Sequence, residues 1–401
     1  MQTELAAFIR DTPEGQEADA ILRKCVHCGF CTATCPTYQL LGDELDGPRG
    51  RIYLVKQVLE GATPTARTQL HLDRCLTCRS CETTCPSGVK YGRLADIGRG
   101  IVEARVPRSL WQRVQRAALA FALPRRALFA LLLGLGRPFR FLLPRLVPAP
   151  AAPAGAWPAP RHARRMLTLA GCVQPALAPR INAAAARVLD RIGVSLVEVP
   201  GAGCCGALRY HLNDQDAGCG DMRALIDAWW PVVERGEVEA IVVTASGCGV
   251  TVKDYGHLLA HDPAYAEKAA RVAALARDLS EVIPLEAVPE RAGLGRIAFH
   301  SPCSLQHGQQ LRGGAERLLT RAGFELTPVP EAHLCCGSAG TYSILQSELA
   351  EQLRGRKLAA LQSGQPVGIV TANIGCLVHL QAGAQVPVAH WVELLDEALQ
   401  A

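Results

Sequence analysis

Two stretches of this chain share one spacing: "CVHCGFCTATCP" from Cys25 and "CLTCRSCETTCP" from Cys75. Each reads C-x2-C-x2-C-x3-C-P. Eight thiols in two short loops must be turned toward common centres, which restricts the fold before any core is considered. Zinc takes two pairs of ligands and has no use for a third cysteine at this interval. A cubane cluster does: three thiolates come from one tight turn, and in two-cluster ferredoxins the fourth cysteine of each run ligates the other cluster. The spacing therefore predicts one [4Fe-4S] cluster on Cys25, Cys28, Cys31 and Cys85 and a second on Cys75, Cys78, Cys81 and Cys35. Zinc or structural thiols form the competing reading, and the full repetition counts against it.

The run "GPRGRIYLVKQVLEG" lies between the two loops. Pro48 suits the first turn of a helix and Gly61 its end, so a helix is expected between the loops. Pro36 and Pro86 are expected to end their ligand loops. His27 and His71 lie near the thiols and are read as neighbouring donors or surface residues, because the thiolate sets are already complete.

The chain has 401 residues, 20% of them charged and 49% hydrophobic, enough for two or three packed domains. Its 17 cysteines and its acid-bearing opening stretch, which has no apolar core like that of a signal peptide, lead to the expectation of a cytosolic chain with thiols kept for metal. A net charge of +5 gives no ordered basic groove with aromatics or a reading helix, so no nucleic-acid partner is expected. Residues 106–163 are apolar, basic and proline-rich. Their longest uncharged run, Ala127 to Gly136, is far shorter than the roughly 20 residues that span a bilayer. Arg125, Arg126, Arg137, Arg140 and Arg145 punctuate the stretch. It reads as a patch lying on an anionic membrane or as a helix packed on a neighbour, followed by a proline-rich linker.

Beyond the linker, strands and helices alternate and the pattern occurs twice. Strands are expected to end on Cys172, on Cys204 and Cys205, and on Cys248, then again on Cys303, on Cys335 and Cys336, and on Cys376. The step from the first cysteine to the pair is 32 residues in both halves. Alternation of this kind gives parallel sheets, whose ligands gather beyond the carboxyl ends of the strands. Each half is thus expected to bring four thiols to one sheet edge as a metal site. "GAGCCG" from Gly201 matches a dinucleotide fingerprint, but the second half has "AHLCCG" in that place, so the shared feature is Cys-Cys-Gly. The fold expected is α+β: a helical two-cluster ferredoxin-type domain over 1–105, the basic segment and linker over 106–163, and a duplicated α/β Cys-Cys-Gly domain with parallel sheets over 164–290 and 291–401.

The double run followed by two Cys-Cys-Gly units resembles the iron–sulfur subunits that partner flavin dehydrogenases, and most closely the iron–sulfur subunit of bacterial glycolate oxidase. "ILRKCVHCGFCTATCPTYQLLGDELDGPRGRIYLVKQVLEG", "HLDRCLTCRSCETTCPSGVKYG", "ASGCGVTVKDYGHLL", "HLCCGSAGTYS" and "NIGCLVHLQAG" carry the resemblance. It implies an electron-transfer subunit without catalytic residues of its own. FAD and the substrate site would lie on flavin-binding glycolate oxidase subunits, with electrons passing toward a quinone-linked acceptor. The expected location is cytoplasmic, with a peripheral place on the inner face of the membrane if residues 106–163 lie on lipid. Lactate or glycerol-3-phosphate dehydrogenase subunits, and a subunit that itself reduces a disulfide or quinone, are the alternatives. In distant relatives each Cys-Cys-Gly unit ends in a further cysteine; here that place holds Thr251 in the first half and His379 in the second. The departure leaves a further iron–sulfur cluster, a zinc ion or a bare scaffold for these units, with His379 a substitute ligand. Lys24 and Arg74 precede the first ligand of each loop and are candidates to raise its potential.

Overall fold

A computed structural model describes residues 1–141 and 152–400. Arg145 and the early linker lie outside the described residues. The chain divides by contact into two units. The first is Met1–Ala117 with His333–Lys357, and the second is Ala118–Ala332 with Leu358–Ala401. This division differs from the one expected at 105/106 and 290/291. Residues 333–357, which carry Cys335 and Cys336, group with the N-terminal unit.

The first unit is helical. Thr12 caps the helix Pro13–Lys24, which ends at Cys25. A capping box between Thr65 and Thr68 starts the helix Ala66–Asp73, which ends just before Cys75. The helix expected between the loops runs Pro48–Leu59, and Gly61 follows with φ of 102°. It packs on the helix Tyr91–Arg105 so closely that a Cβ on Gly98 would meet Val55 Cγ2 at 2.5 Å. Ile52, Val55, Val58, Leu59, Leu94 and Val102 fill the core between them. Pro36 ends its ligand loop as expected, by opening the helix Pro36–Leu41, where its missing N–H costs nothing.

The second unit contains two four-stranded parallel sheets. The first joins β1 (Arg164–Thr168), β2 (Val194–Glu198), β3 (Ile241–Val243) and β4 (Ala276–Asp278) in the order β2-β1-β3-β4. The second joins β5 (Arg296–His300), β6 (Glu325–Leu326), β7 (Gly368–Thr371) and β8 (Val388–His390) in the order β6-β5-β7-β8. Identical orders express the duplication in full. The strands stop short of the cysteines, contrary to expectation. Cys172, Cys204 and Cys205 lie in the loops that follow, and Cys248 lies in the helix Ser246–Lys253. Cys376 lies in the helix Ile374–Gln381.

Within this unit the halves pack together. Ala183–Ala186 are all buried on the helix Arg180–Arg191, and these small side chains admit the helix Trp391–Gln400. Arg187 Nη2 reaches Asp396 Oδ2 at 2.7 Å, and Arg180 Nη2 reaches Glu397 Oε1 at 2.8 Å. The ends of β3 and β7 meet, with the Ser246 N–H donating to the Ala372 carbonyl at 3.0 Å. Ser246 Oγ and Ser304 Oγ lie 2.8 Å apart.

The helix Arg126–Gly136 lies against Gln174–Leu177, and Arg126 pairs with Glu198 at 3.0 Å. Its apolar side chains are not all covered: Leu131, Leu132 and Leu135 are exposed, as are Phe121, Phe139 and Phe141 nearby. Among the described residues no single helix is long and apolar enough to cross a membrane. Leu110–Ala122 and Arg126–Phe139 reach that length together, bent by 111°.

Candidate metal centres

The two thiol runs share a pair of left-handed positions. In the first loop His27 and Gly29 have φ of 55° and 83°. In the second, Thr77 and Arg79 stand at the same offsets with φ of 51° and 57°. Left-handed residues at both places curl each loop around a common centre. Such conformations are strained for side-chain-bearing residues and persist only when the surroundings over-determine them.

One cavity is lined by Cys25, Cys28, Cys31, Cys81 and Cys85, with walls from Ile52, Val89 and Tyr91. A second is lined by Cys35, Cys75, Cys78 and Cys81, with Leu76, Arg51 and Tyr91. The second thus gathers three thiols of one run and Cys35 of the other, while the first gathers Cys25, Cys28 and Cys31 with Cys81 and Cys85 of the other run. Pro48, Cys81 and Tyr91 line both, so the two cavities adjoin.

The thiols sense one another. Burial, then the charges of Cys25, Cys28 and Cys85, push the Cys31 thiol up to about 11. Burial and Cys78, Cys75 and Cys35 push Cys81 up as well. Cys75 moves the other way: burial opposes its ionisation, but the Arg51 and Arg99 guanidiniums, the Thr77 N–H and the Tyr91 hydroxyl together pull it down. The Thr77 N–H lies 3.4 Å from Cys75 Sγ, and Thr37 Oγ1 lies 3.4 Å from Cys35 Sγ. Four soft donors in an apolar pocket, costly to ionise without a cation, with N–H and hydroxyl groups aimed at the sulfurs, fit a [4Fe-4S] group.

Asp46 is fully buried beneath the second cavity. Its carboxylate accepts from Arg74 Nη1 at 2.8 Å, from Arg51 Nη2 at 3.4 Å and faces His71 Nδ1 at 3.0 Å. His71 is thus committed to Asp46, while His27 lines the first cavity. Lys24 is exposed, and the Arg74 charge is partnered by Asp46.

In the second unit Cys172, Cys204, Cys205 and Cys248 come together at the carboxyl edge of the first sheet. Cys204 hydrogen-bonds Cys172 and Cys205, and Cys205 hydrogen-bonds Cys248. Those thiol donors push Cys204 down to about 3, while Cys172 and Cys205 rise. Burial, then the Cys204 charge, pushes Asp221 up to about 6, with Arg209 Nη1 2.9 Å from its Oδ1. The Tyr255 hydroxyl donates to the Cys205 carbonyl at 2.8 Å. Thr251 gives its hydroxyl to the Gly247 carbonyl at 3.3 Å. In the second half, Cys303, Cys376 and His379 belong to the second unit and Cys335 and Cys336 to the first. His379 and Cys376 are buried on one helix, and the Gly337 N–H lies 3.5 Å from Cys335 Sγ.

Sequence reasoning missed Arg51, Arg99, Tyr91, Tyr342 and Asp221. The available signal was an arginine falling on the apolar face of an expected helix, as Arg51 does between Pro48 and Ile52.

Comparison with known proteins adds three findings. Residues 21–89 match the 4Fe-4S dicluster domain family, and residues 166–253 and 297–381 each match the cysteine-rich domain family. The chain is 56% identical to the glycolate oxidase iron-sulfur subunit of Escherichia coli, covering 100% of both chains. It is 30% identical to a probable glycolate oxidase iron-sulfur subunit of Bacillus subtilis, over 94% of both. Lactate utilization protein A of Geobacillus thermodenitrificans is 30% identical over 54% of this chain and 92% of that one. A solved structure of a hypothetical protein from Helicobacter pylori shares the fold with a TM-score of 0.53 at 8% identity, over 97% of this chain and 72% of that one.

Proposed function

This chain belongs to the family of glycolate oxidase iron–sulfur subunits, and from that membership we propose that it serves a glycolate-oxidising complex. A flavin-binding partner would oxidise glycolate to glyoxylate on its FAD. This chain carries the electrons onward toward a quinone-linked acceptor. Its part is electron transfer, as the dicluster family match supports. One [4Fe-4S] cluster is assigned to Cys25, Cys28, Cys31 and Cys85, and one to Cys35, Cys75, Cys78 and Cys81. What carries this reading is the crossing: Cys85 lines the cavity of Cys25, Cys28 and Cys31, and Cys35 lines that of Cys75, Cys78 and Cys81. When bound, such clusters accept and give up single electrons. The chain's own residues hold them apart from water, donate hydrogen bonds to sulfur and set the surrounding charge. Residues 1–105 form the cluster-holding module on this reading, and 164–290 and 291–401 the two Cys-Cys-Gly repeats.

The Cys-Cys-Gly units are read as further metal sites. Cys172, Cys204, Cys205 and Cys248 form one set. In the second half the repeated spacing offers Cys303, Cys335, Cys336 and Cys376, with His379 as an added donor. Adjoining buried thiols repel once ionised, so a cation is the natural neutraliser. The exposed apolar side chains between Phe121 and Phe141, punctuated by arginines, are assigned to peripheral contact with an anionic membrane on the cytoplasmic side.

Iron and sulfide analysis of the anaerobically purified chain tests the core of this proposal. About eight irons per chain are expected from two cubanes, with more if the Cys-Cys-Gly units carry iron. Glycolate-dependent dye reduction should require the flavin partner. Activity from this chain alone would place the substrate site here and overturn the assignment.

A further inference from the structure

The two thiol cavities differ in the charge around them. Two buried guanidiniums stand beside the second: Arg51 lines it, and Arg99 reaches the Cys75 carbonyl. Arg51 is 1% exposed and Arg99 7%. Arg51 Nε donates to the His71 carbonyl at 2.7 Å, and its Nη1 donates to Thr37 Oγ1 at 3.1 Å. Arg99 Nη2 donates to the Leu72 carbonyl at 2.8 Å and to the Cys75 carbonyl at 2.5 Å, and Nη1 donates to Thr77 Oγ1 at 2.8 Å. Arg99 meets carbonyl and hydroxyl oxygens in these contacts, whereas Arg51 Nη2 also faces the Asp46 carboxylate at 3.4 Å. Arg74 adds a third guanidinium on that same carboxylate, so Asp46 serves two cations at once. Arg79 and Glu82 lie together beside Gly92 and offset each other.

Beside the first cavity the Met1 ammonium, only partly buried, donates to the Cys25 carbonyl at 2.8 Å. The nearest guanidinium to that cavity is Arg49, whose end lies 2.8 Å from where a Gly29 Cβ would stand. Arg49 is 37% exposed on its side chain and paired with Glu44 at 2.6 Å. Cys28 is exposed, as are Val26 and Phe30 beside it. Solvent screens a charge there, whereas a buried guanidinium acts through a low dielectric. A nearby buried cation stabilises whichever state of a centre is more negative, and for a cluster that is the reduced one.

We propose that the cluster held by Cys35, Cys75, Cys78 and Cys81 is the higher-potential member of the pair, and that electrons run from the Cys25 centre to the Cys75 centre. Arg99 and Arg51 are the positioning residues that set this order. One further contact extends the direction. Tyr342 is buried and donates its hydroxyl to the Arg74 carbonyl at 3.2 Å, which ties the segment that carries Cys335 and Cys336 to the residue just before Cys75. The second centre is thus the one beside the Cys335–Cys336 pair, and the exit lies on that side.

The inference rests on the reading that both sets hold clusters, so metal content is settled first and potentials second. Redox titration of the full chain, followed by electron paramagnetic resonance, reads the two potentials. Cys28→Ser and Cys78→Ser identify which signal belongs to which centre. The signal altered by Cys78→Ser should have the higher potential. Arg99→Gln should lower that potential and leave the other unchanged, and Arg99→Lys should restore most of it. If Arg99→Gln does not assemble, Arg74→Gln at the partly exposed rim should lower the same signal, and the wild-type order still decides. Equal or reversed potentials overturn the proposal, as does an Arg99→Gln effect shared equally by both signals. Absence of two clusters would instead overturn the assignment on which it rests.

Discussion

Asp278 and His390 occupy the same place in the two halves of the duplicated region. Each ends the fourth strand of its sheet and is fully buried. Each donates its backbone N–H to a glutamate three residues on, Glu281 at 2.7 Å and Glu393 at 2.9 Å. His390 also faces the Thr244 carbonyl across the two halves, with Nε2 3.0 Å away. Burial acts on both in the same sense, against the charged form, and so moves them in opposite directions. It raises Asp278 to about 6 and lowers His390 to about 4.

The pH consequence has two opposing parts. Below about 6.5 the unfolded chain protonates His390 while the folded chain resists until about 4, so stability falls as pH drops through that window. Asp278 keeps its proton in the folded chain up to about 6 but loses it near 3.8 when unfolded, so its contribution is present at low pH and is lost as pH rises through that window. Each effect is of order 3 kcal/mol, and between pH 4 and 6 they nearly cancel. His390→Gln removes the acid-sensitive part. Its thermal midpoint, relative to wild type, should therefore rise as pH is lowered from 6.5 to 4. Asp278→Asn should show the reverse trend. Parallel pH profiles for all three proteins would refute the pairing.

The crossed ligand sets make a selective prediction. Cys85→Ser should damage the centre of Cys25, Cys28 and Cys31, although Cys85 belongs to the other run. Cys35→Ser should damage the centre of Cys75, Cys78 and Cys81. Iron content and the two paramagnetic signals report this directly, and loss of the same-run centre in either variant would reverse the assignment.

How much of this was legible beforehand depended on how local the determinants were. The thiol loops could be read because a loop of fixed shape imposes its spacing on the chain, and because the spacing came twice. The duplication was legible from the repeated Cys-Cys-Gly interval. Strands β4 and β8 were not read: "ARD" and "VAH" are too short to show a period. Nor were Arg51 and Arg99, since a charged residue on a helix is normally solvated and only the packing of Pro48–Leu59 on Tyr91–Arg105 buries these two. The grouping of residues 333–357 with the N-terminal unit rests on contacts hundreds of residues apart, such as that of Tyr342 with Arg74.

The matched left-handed residues give a third prediction. Gly29→Ala would impose strain at φ of 83° and bring its Cβ to 2.8 Å from Arg49 Nη1. The backbone strain is about 1–2 kcal/mol, and relief of the contact alone cannot remove it. Gly29→Ala should lower the thermal midpoint and the occupancy of the Cys25 centre, and adding Arg49→Ala should recover only part of the loss. Full recovery in the double variant would assign the whole effect to the side-chain contact.

The basic apolar face yields the last prediction. Phe121, Leu131, Leu132, Leu135, Phe139 and Phe141 are exposed, and Arg125, Arg126, Arg137 and Arg140 stand among them. Arg126 already pairs with Glu198, and the Arg125 guanidinium sits 4.0 Å over the Phe121 ring. The remaining charge faces outward beside side chains that water solvates poorly. On an anionic surface each arginine contributes about 1 kcal/mol, so replacing all four with glutamate converts attraction into repulsion. The variant should leave vesicles containing anionic lipid while the wild-type chain stays bound, and raised salt should release the wild type in part. Leu131→Ser with Leu135→Ser, which leaves the charge intact, should weaken binding with less dependence on salt. Vesicle binding unchanged by the charge reversal would remove the membrane from the account and leave the face to a partner subunit.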